Sequence, residues 1–68
     1  MRTPAQQRQY ALGQACARKL HMSDVGRLQD AFVLGDFDWR DWFDDKPTPS
    51  FIAGLADECA HREIVDPY

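Results

Sequence analysis

The sequence predicts an all-α protein: a helical hairpin plus a third helix, together forming a small three-helix bundle. Three segments carry apolar residues at the three- and four-residue spacing of a helix face. Each segment begins at a residue that caps helices well, namely Thr3, Ser23 or Thr48. The apolar–polar alternation that marks strands is missing. With 68 residues, the chain is expected to form one helical domain over residues 1–68.

Helix 1 is predicted to begin at Pro4, with Thr3 as its N-cap, and to end near His21. Thr3 and Gln6 form a capping-box pattern, and proline is favoured at the first helical position. Gly13 and Ala17 are small residues four positions apart, which lets another helix approach closely, either within the chain or across a dimer. The residues expected to pack against that helix are Leu12, Gly13, Cys16, Ala17 and Leu20.

Helix 2 is predicted to begin at Ser23 as N-cap and to end at Gly35, a residue type common just beyond helix ends. Helix 3 is predicted from about Pro49 to Glu63, with Thr48 as its cap, followed by a short tail over 66–68. Its expected apolar stripe is Ile52, Leu55, Ala56, Cys59 and Ala60, and its expected polar side is Asp57, Glu58, Arg62 and Glu63.

The twelve residues of segment 35–46 join helix 2 to helix 3. They hold both tryptophans, two of the four phenylalanines and five of the eleven acidic residues. Trp39, Trp42 and Phe43 have the spacing of one helix face, so a short helical turn is expected around 38–43, capped by Asp36 or Asp38. The tryptophans suit either the end of the bundle core or a binding interface, and the aspartates must stay near solvent.

Charge is divided unevenly along the chain. Residues 1–29 carry five basic residues and one acidic residue, whereas residues 30–68 carry three basic and ten acidic residues. Opposite charges on the two halves can attract each other, or an antiparallel second copy. Three short apolar stripes also give a small core for a protein of this length. A homodimer is therefore expected.

Metal binding is not expected. Zinc sites use cysteine and histidine, and the candidates here are Cys16, His21, Cys59 and His61. Cys16 and His21 are five residues apart, which is about 140° around a helix, and Cys59 and His61 are two apart, which is about 200°. Neither pair therefore shares a helix face. Asp36-Phe37-Asp38 begins like a calcium loop, yet the later positions hold Arg40, Asp41 and Pro47 where acidic or glycine residues are required. No cofactor is expected either.

Enzymatic activity and direct nucleic-acid binding are also not expected. Ser23 and Ser50 lie where helix caps are needed, and no glycine-rich phosphate loop is present. A helix-turn-helix arrangement of helices 1 and 2 remains an alternative, because the turn between them is short. Its second helix, however, carries Asp24 and Asp30 with only Arg27 to meet phosphates.

The compartment expected from the sequence is the cytoplasm. No charged-then-apolar leader opens the chain, and no apolar run approaches the roughly 20 residues that span a bilayer. Two cysteines are too few for a disulfide framework, so both thiols are expected to be reduced.

Size, acidity and helical build resemble those of the short accessory proteins of bacterial viruses, including anti-CRISPR and other host-takeover inhibitors. Residues 38–45, followed by Thr48-Pro49 and an alanine-containing helix, are similar to a turn-then-helix pattern in phage proteins. The resemblance covers under a third of the chain and transfers no active site. It implies a non-enzymatic protein that binds and blocks a larger host protein, with the cytoplasm of a bacterial host cell as its location.

The function predicted from the sequence is that of a small non-enzymatic inhibitor or adaptor that covers a functional surface of a larger protein, such as a nucleic-acid-binding groove. The residues expected to bind the partner, here called the acidic-aromatic surface, are Asp36, Asp38, Trp39, Asp41, Trp42, Phe43, Asp44 and Asp45. Two alternatives are a small DNA-contacting transcription regulator and a structural or assembly subunit.

Overall fold

The computed structural model describes residues 1–65, so the predicted tail at 66–68 lies outside the described residues. The helices in this range are α1 (Pro4–Arg18), α2 (Met22–Leu34) and α3 (Pro49–Val65), with a short 3₁₀ helix, Trp39–Asp41, between α2 and α3. No strand occurs in residues 1–65. The predicted all-α three-helix fold is confirmed.

The predicted caps of α1 and α3 are present. The Thr3 hydroxyl accepts a hydrogen bond from the Gln6 backbone N–H, and the Gln6 side-chain oxygen accepts one from the Thr3 N–H, which completes the capping box. The Thr48 hydroxyl accepts from the Phe51 N–H at 3.2 Å. Helix α1 ends at Arg18, earlier than predicted, because the next two N–H groups, of Lys19 and Leu20, bond back only three residues.

The predicted N-cap of α2 is wrong by two residues. His21, not Ser23, is the cap: its Nδ1 accepts a hydrogen bond from the Ser23 N–H at 3.2 Å. In a neutral imidazole, the ring nitrogen without a proton accepts hydrogen bonds. Nδ1 of His21 therefore takes the place of the serine or aspartate oxygen that is usual at an N-cap. At the other end, Gly35 has φ 75°, the left-handed conformation that closes a helix, as predicted.

Helices α1 and α3 form the most extensive helix pair of the bundle, and α2 has a smaller contact with α3. Gln9 meets Thr48 and Ala17 meets Arg62, so α1 and α3 run in the same direction. Their backbones touch at two glycines. A Cβ atom at Gly13 would lie 2.0 Å from the Phe51 carbonyl oxygen, and one at Gly54 would lie 2.0 Å from the Tyr10 carbonyl oxygen. We call this contact the glycine seam.

Polar side chains of α1 and of α3 also link the two helices at the glycine seam. The Tyr10 hydroxyl donates to Asp57, and Arg18 lies 3.4 Å from the Glu58 carboxylate. Arg62 Nη1 donates to the Ala17 carbonyl at 2.8 Å and to the Leu20 carbonyl, where α1 ends. A cation at this point also offsets the negative end of the helix dipole.

Two residues expected on the polar side of helix 3 are therefore placed differently. Glu58 is buried, with 7% of its surface exposed, and Arg62 is half-buried. Both lie at the α1 contact because the two backbones are close enough for long side chains of α3 to reach across to α1. The sequence pattern treats charge as a mark of solvent, whereas here charged side chains bridge two helices.

The core lies where the three helices meet. Its fully buried members are Ala17, Val25, Leu28, Leu55 and Cys59, and the half-buried residues packed against them are Cys16, Leu20, Met22, Phe32, Phe37, Trp42 and Phe43. Leu12 does not pack inside the chain, since 49% of its surface is exposed. The glycine seam turns Gly13 toward α3, and the preceding residue, about 100° away around the helix, faces outward.

Candidate protein-binding surface

Segment 35–46 leaves α2 through the left-handed Gly35 and turns back against the bundle. The Asp36 N–H donates to the Ala31 carbonyl at 3.1 Å, which closes the last turn of α2. The Phe37 ring then stacks on Phe32 with their centroids 4.5 Å apart. These two contacts fix the direction in which the segment begins.

Asp38 caps the short 3₁₀ helix Trp39–Asp41, so the predicted turn around 38–43 is present in a shorter form. Its carboxylate accepts from the Arg40 backbone N–H at 3.0 Å and from Arg40 Nε at 3.1 Å. These hydrogen bonds, the backbone one first, lower the pKa of Asp38 below its ordinary value. The carboxylate therefore stays charged while it holds the turn together.

The three aromatic residues of the acidic-aromatic surface do not share one environment. Trp42 and Phe43 are half-buried and pack against the core, and the Phe43 ring meets the edge of Phe51 at a centroid distance of 5.5 Å. The Arg27 guanidinium lies 4.9 Å from the centroid of the Trp42 ring. Trp39 is half-buried but does not pack against the core cluster. It is the aromatic residue of this surface most available to a partner.

The aspartates are presented to solvent. Asp36, Asp41, Asp44 and Asp45 are exposed, and Asp38 is half-buried at its cap. Arg40 and Lys46 are exposed in the same segment, which therefore carries a net charge of −3. Four of the five aspartates are thus exposed, on a short segment that the core holds in position.

The cysteines are ill suited to nucleophilic chemistry. Burial raises the pKa of the Cys59 thiol to about 11, and burial also raises the pKa of Cys16. Both thiols are free rather than joined in a disulfide. Within residues 1–65, no three histidine, cysteine, aspartate or glutamate side chains cluster closely enough to hold a metal ion. The same residues enclose no pocket.

The helix-packing residues predicted on helix 1 are used mainly inside the chain. Gly13 and Ala17 are buried at the glycine seam, and Cys16 and Leu20 pack against the core. Leu12 alone among them faces outward. None of the helices in residues 1–65 combines the length and apolar character needed to cross a bilayer.

Sequence reasoning passed over exposed aliphatic pairs at the ends of two helices, Val33 and Leu34 on α2 and Ile64 and Val65 on α3. Val33 and Leu34, at the end of α2, are 74% and 75% exposed. The sequence feature that predicts such exposure is a pair of consecutive large aliphatic residues in one helix. Consecutive residues are about 100° apart around the axis, so both cannot face a narrow core.

No protein-family model matches this chain, and comparisons with curated proteins and with solved structures give no match. The resemblance to phage accessory proteins therefore stays a prediction.

Proposed function

We propose that this protein is a small non-enzymatic inhibitor or adaptor that docks its acidic-aromatic surface onto a basic surface of a larger protein. The proposed target surface is one that binds nucleic acid in a bacterial host cell, and docking blocks it. The observation that carries the proposal is the presentation of four exposed aspartates on a segment that Phe37, Trp42 and Phe43 hold against the core.

A held segment binds more effectively than a loose one. Ordering a flexible loop on binding costs free energy for each side chain that is immobilised. Here the Phe32–Phe37 stack, the Asp38 cap and the Phe43–Phe51 contact fix the segment before any partner arrives. The exposed carboxylates supply long-range attraction, which raises the rate of encounter with a basic surface.

Trp39 is assigned the anchoring role within this surface. Tryptophan is among the residues enriched at the energetic centres of interfaces, and Trp39 is the one whose ring is not part of the core packing. Trp42 and Phe43 are assigned the supporting role of holding the segment in place.

Charge reversal tests the proposal. The wild-type chain and the variants Asp44→Lys, Asp41→Lys/Asp44→Lys/Asp45→Lys and Glu63→Lys are each used to capture proteins from bacterial lysate at low and high salt. Glu63 lies on α3 outside the acidic-aromatic surface and has no ion-pair partner within residues 1–65, so Glu63→Lys matches the charge change of Asp44→Lys. Proteins held by the wild type and by Glu63→Lys, but lost with the triple variant, are the expected partners.

Kinetics with a captured partner then separate steering from anchoring. The triple variant is expected to associate more slowly and with less salt dependence, whereas Trp39→Ala is expected to dissociate faster, at a cost of about 2 kcal/mol of binding free energy. Capture that is identical for all four chains would refute the proposal. A salt-dependent shift of duplex DNA by the pure protein would favour the transcription-regulator alternative instead.

A further inference from the structure

The last turn of α2 combines two exposed aliphatic side chains with two carboxylates. Val33 and Leu34 are 74% and 75% exposed. Asp30, also exposed, is three and four residues before them and so lies beside them on the helix surface. Asp36 follows Gly35 and is kept at this turn by its N–H bond to the Ala31 carbonyl. We call these four residues, 30, 33, 34 and 36, the α2 patch.

Neither part of the α2 patch helps the isolated chain to fold. Exposed Val33 and Leu34 leave apolar area in water. Acidic side chains at the carboxyl end of a helix meet the negative end of its dipole, and the last turn of α2 contains no basic residue. A partner that covers the two aliphatic side chains and brings positive charge to this turn would remove both unfavourable features.

The outer face of α1 has the opposite character. Arg8, Leu12 and Lys19 are exposed and follow one another at spacings of four and seven residues, which places them on one side of the helix. Leu12 is 49% exposed between the two cations. Arg8, Lys19, Asp30 and Asp36 have no ion-pair partner within residues 1–65.

The two surfaces also share a register. Arg8 and Leu12 are four residues apart on α1, as Asp30 and Leu34 are on α2, so each charge is about 6 Å along the axis from its aliphatic neighbour. When Leu12 of one copy lies against Leu34 of another, Arg8 therefore comes level with Asp30. Lys19, beyond Leu12, extends toward the end of α2 that carries Asp36.

We propose that the protein forms a two-fold dimer in which the outer face of α1 of each copy docks on the α2 patch of the other. Leu12 packs on Val33 and Leu34, while Arg8 and Lys19 face the carboxylates of Asp30 and Asp36. The occupant is a second copy because both complementary surfaces are on this one chain, in matching register. A two-fold arrangement uses each contact twice and leaves neither surface open.

This dimer shares only Asp36 with the acidic-aromatic surface and is tested separately from the proposed function, because Asp41, Asp44, Asp45 and Trp39 take no part in it. Reversal of the three aspartates is therefore expected to leave the dimer unchanged while host-protein capture is lost. A wild-type chain that stays monomeric, with capture still lost in the triple variant, would overturn this inference alone.

Sedimentation equilibrium of the full chain at low salt tests the dimer. The wild type is expected to show a monomer–dimer equilibrium. Leu12→Ser and Leu34→Ser are each expected to weaken it about 10-fold or more, because each removes apolar contact that the two-fold axis repeats. Ile64→Ser is the matched control: Ile64 is 81% exposed on α3, outside both surfaces, and its replacement is expected to leave the dimer unchanged.

A charge exchange supplies the decisive comparison. Arg8→Glu and Asp30→Arg are each expected to weaken the dimer by about 5-fold or more, and the double variant Arg8→Glu/Asp30→Arg is expected to recover most of the loss. Far-UV circular dichroism verifies that each variant keeps its helices. The proposal is overturned if the wild type stays monomeric up to millimolar concentration, if the serine variants dimerise normally, or if the double variant is no better than the singles.

Discussion

The glycine seam and the acidic-aromatic surface are built on opposite principles. At the seam, two helix backbones touch at Gly13 and Gly54, and the charged side chains around them end on partners in the other helix. In segment 35–46, the backbone is held by a few aromatic contacts and one capping aspartate, and four carboxylates point into water. The seam leaves almost no freedom of residue type, whereas the segment leaves much.

The difference shows which features need an explanation beyond folding. The close contact between α1 and α3 explains the residue types at the seam. Glycine is required because a Cβ atom has no space, and Arg62 donates to the carbonyl oxygens at the end of α1. The exposed aspartates satisfy no such requirement, and neither do Val33 and Leu34. We therefore assign binding to the segment and to the end of α2, and we assign stability to the seam.

The largest expected effect is at the seam. Gly13→Ala adds a Cβ that would lie 2.0 Å from the Phe51 carbonyl oxygen, and a backbone atom cannot rotate away as a flexible side chain can. The helices must separate, which we expect to cost about 3 kcal/mol of unfolding free energy. Urea denaturation followed by far-UV circular dichroism measures this.

Ala11→Leu is the control for that variant. Ala11 is exposed on the same helix, so added volume there meets only solvent, and a change within about 0.5 kcal/mol is expected. An unchanged urea midpoint for Gly13→Ala would show that the seam tolerates separation, and the contrast between the two regions would then be lost.

The sequence was sufficient for features that depend on near neighbours along the chain. The Thr3–Gln6 capping box, the Thr48 cap and the Gly35 terminator need only residues within a turn of one another, and all three are present. Gly13 and Ala17 correctly indicated a close helix approach. The identity of the approaching helix did not follow, because it depends on Gly54, which is 41 positions further along the chain.

The errors have the same origin. Glu58 and Arg62 are expected in solvent because hydropathy carries no information about partners on another helix. Those partners are the Arg18 guanidinium for Glu58 and carbonyl oxygens at the end of α1 for Arg62. The cap at His21 was missed because an imidazole caps only when its Nδ1 is turned back toward the Ser23 N–H. For the candidate surface, composition correctly placed the aspartates outside, but the separate roles of Trp39 and Trp42 depend on which ring reaches the core.

A smaller effect is expected where the two regions meet. Trp42 packs half-buried on the core and beneath Arg27, so Trp42→Ala is expected to lower the unfolding free energy by about 2 kcal/mol, roughly half the cost of truncating a fully buried tryptophan. Trp39→Ala is the matched control, with an expected loss below about 1 kcal/mol because that ring lies outside the core cluster. Equal losses in urea denaturation would contradict the separate roles given to the two tryptophans.

The smallest effect concerns the cap of the 3₁₀ helix. Hydrogen bonds from Arg40 lower the pKa of Asp38 in the folded chain below its ordinary value of 3.8. A lowered folded pKa means that the charged cap stabilises the turn at pH values above 3.8, and that this contribution is lost as the pH falls through the lowered value. The Arg40 backbone amide reports on this directly, since it donates to the carboxylate.

An acid titration followed by the NMR chemical shift of the Arg40 amide is therefore expected to show a midpoint below 3.8. Asp38→Asn keeps an oxygen that accepts the hydrogen bond but removes the titrating charge, so its Arg40 shift is expected to stay flat across the same range. A wild-type midpoint at or above 3.8 would mean that Arg40 does not hold the carboxylate. The segment would then depend on its aromatic contacts alone, and the aspartates would lose the fixed presentation on which their proposed role depends.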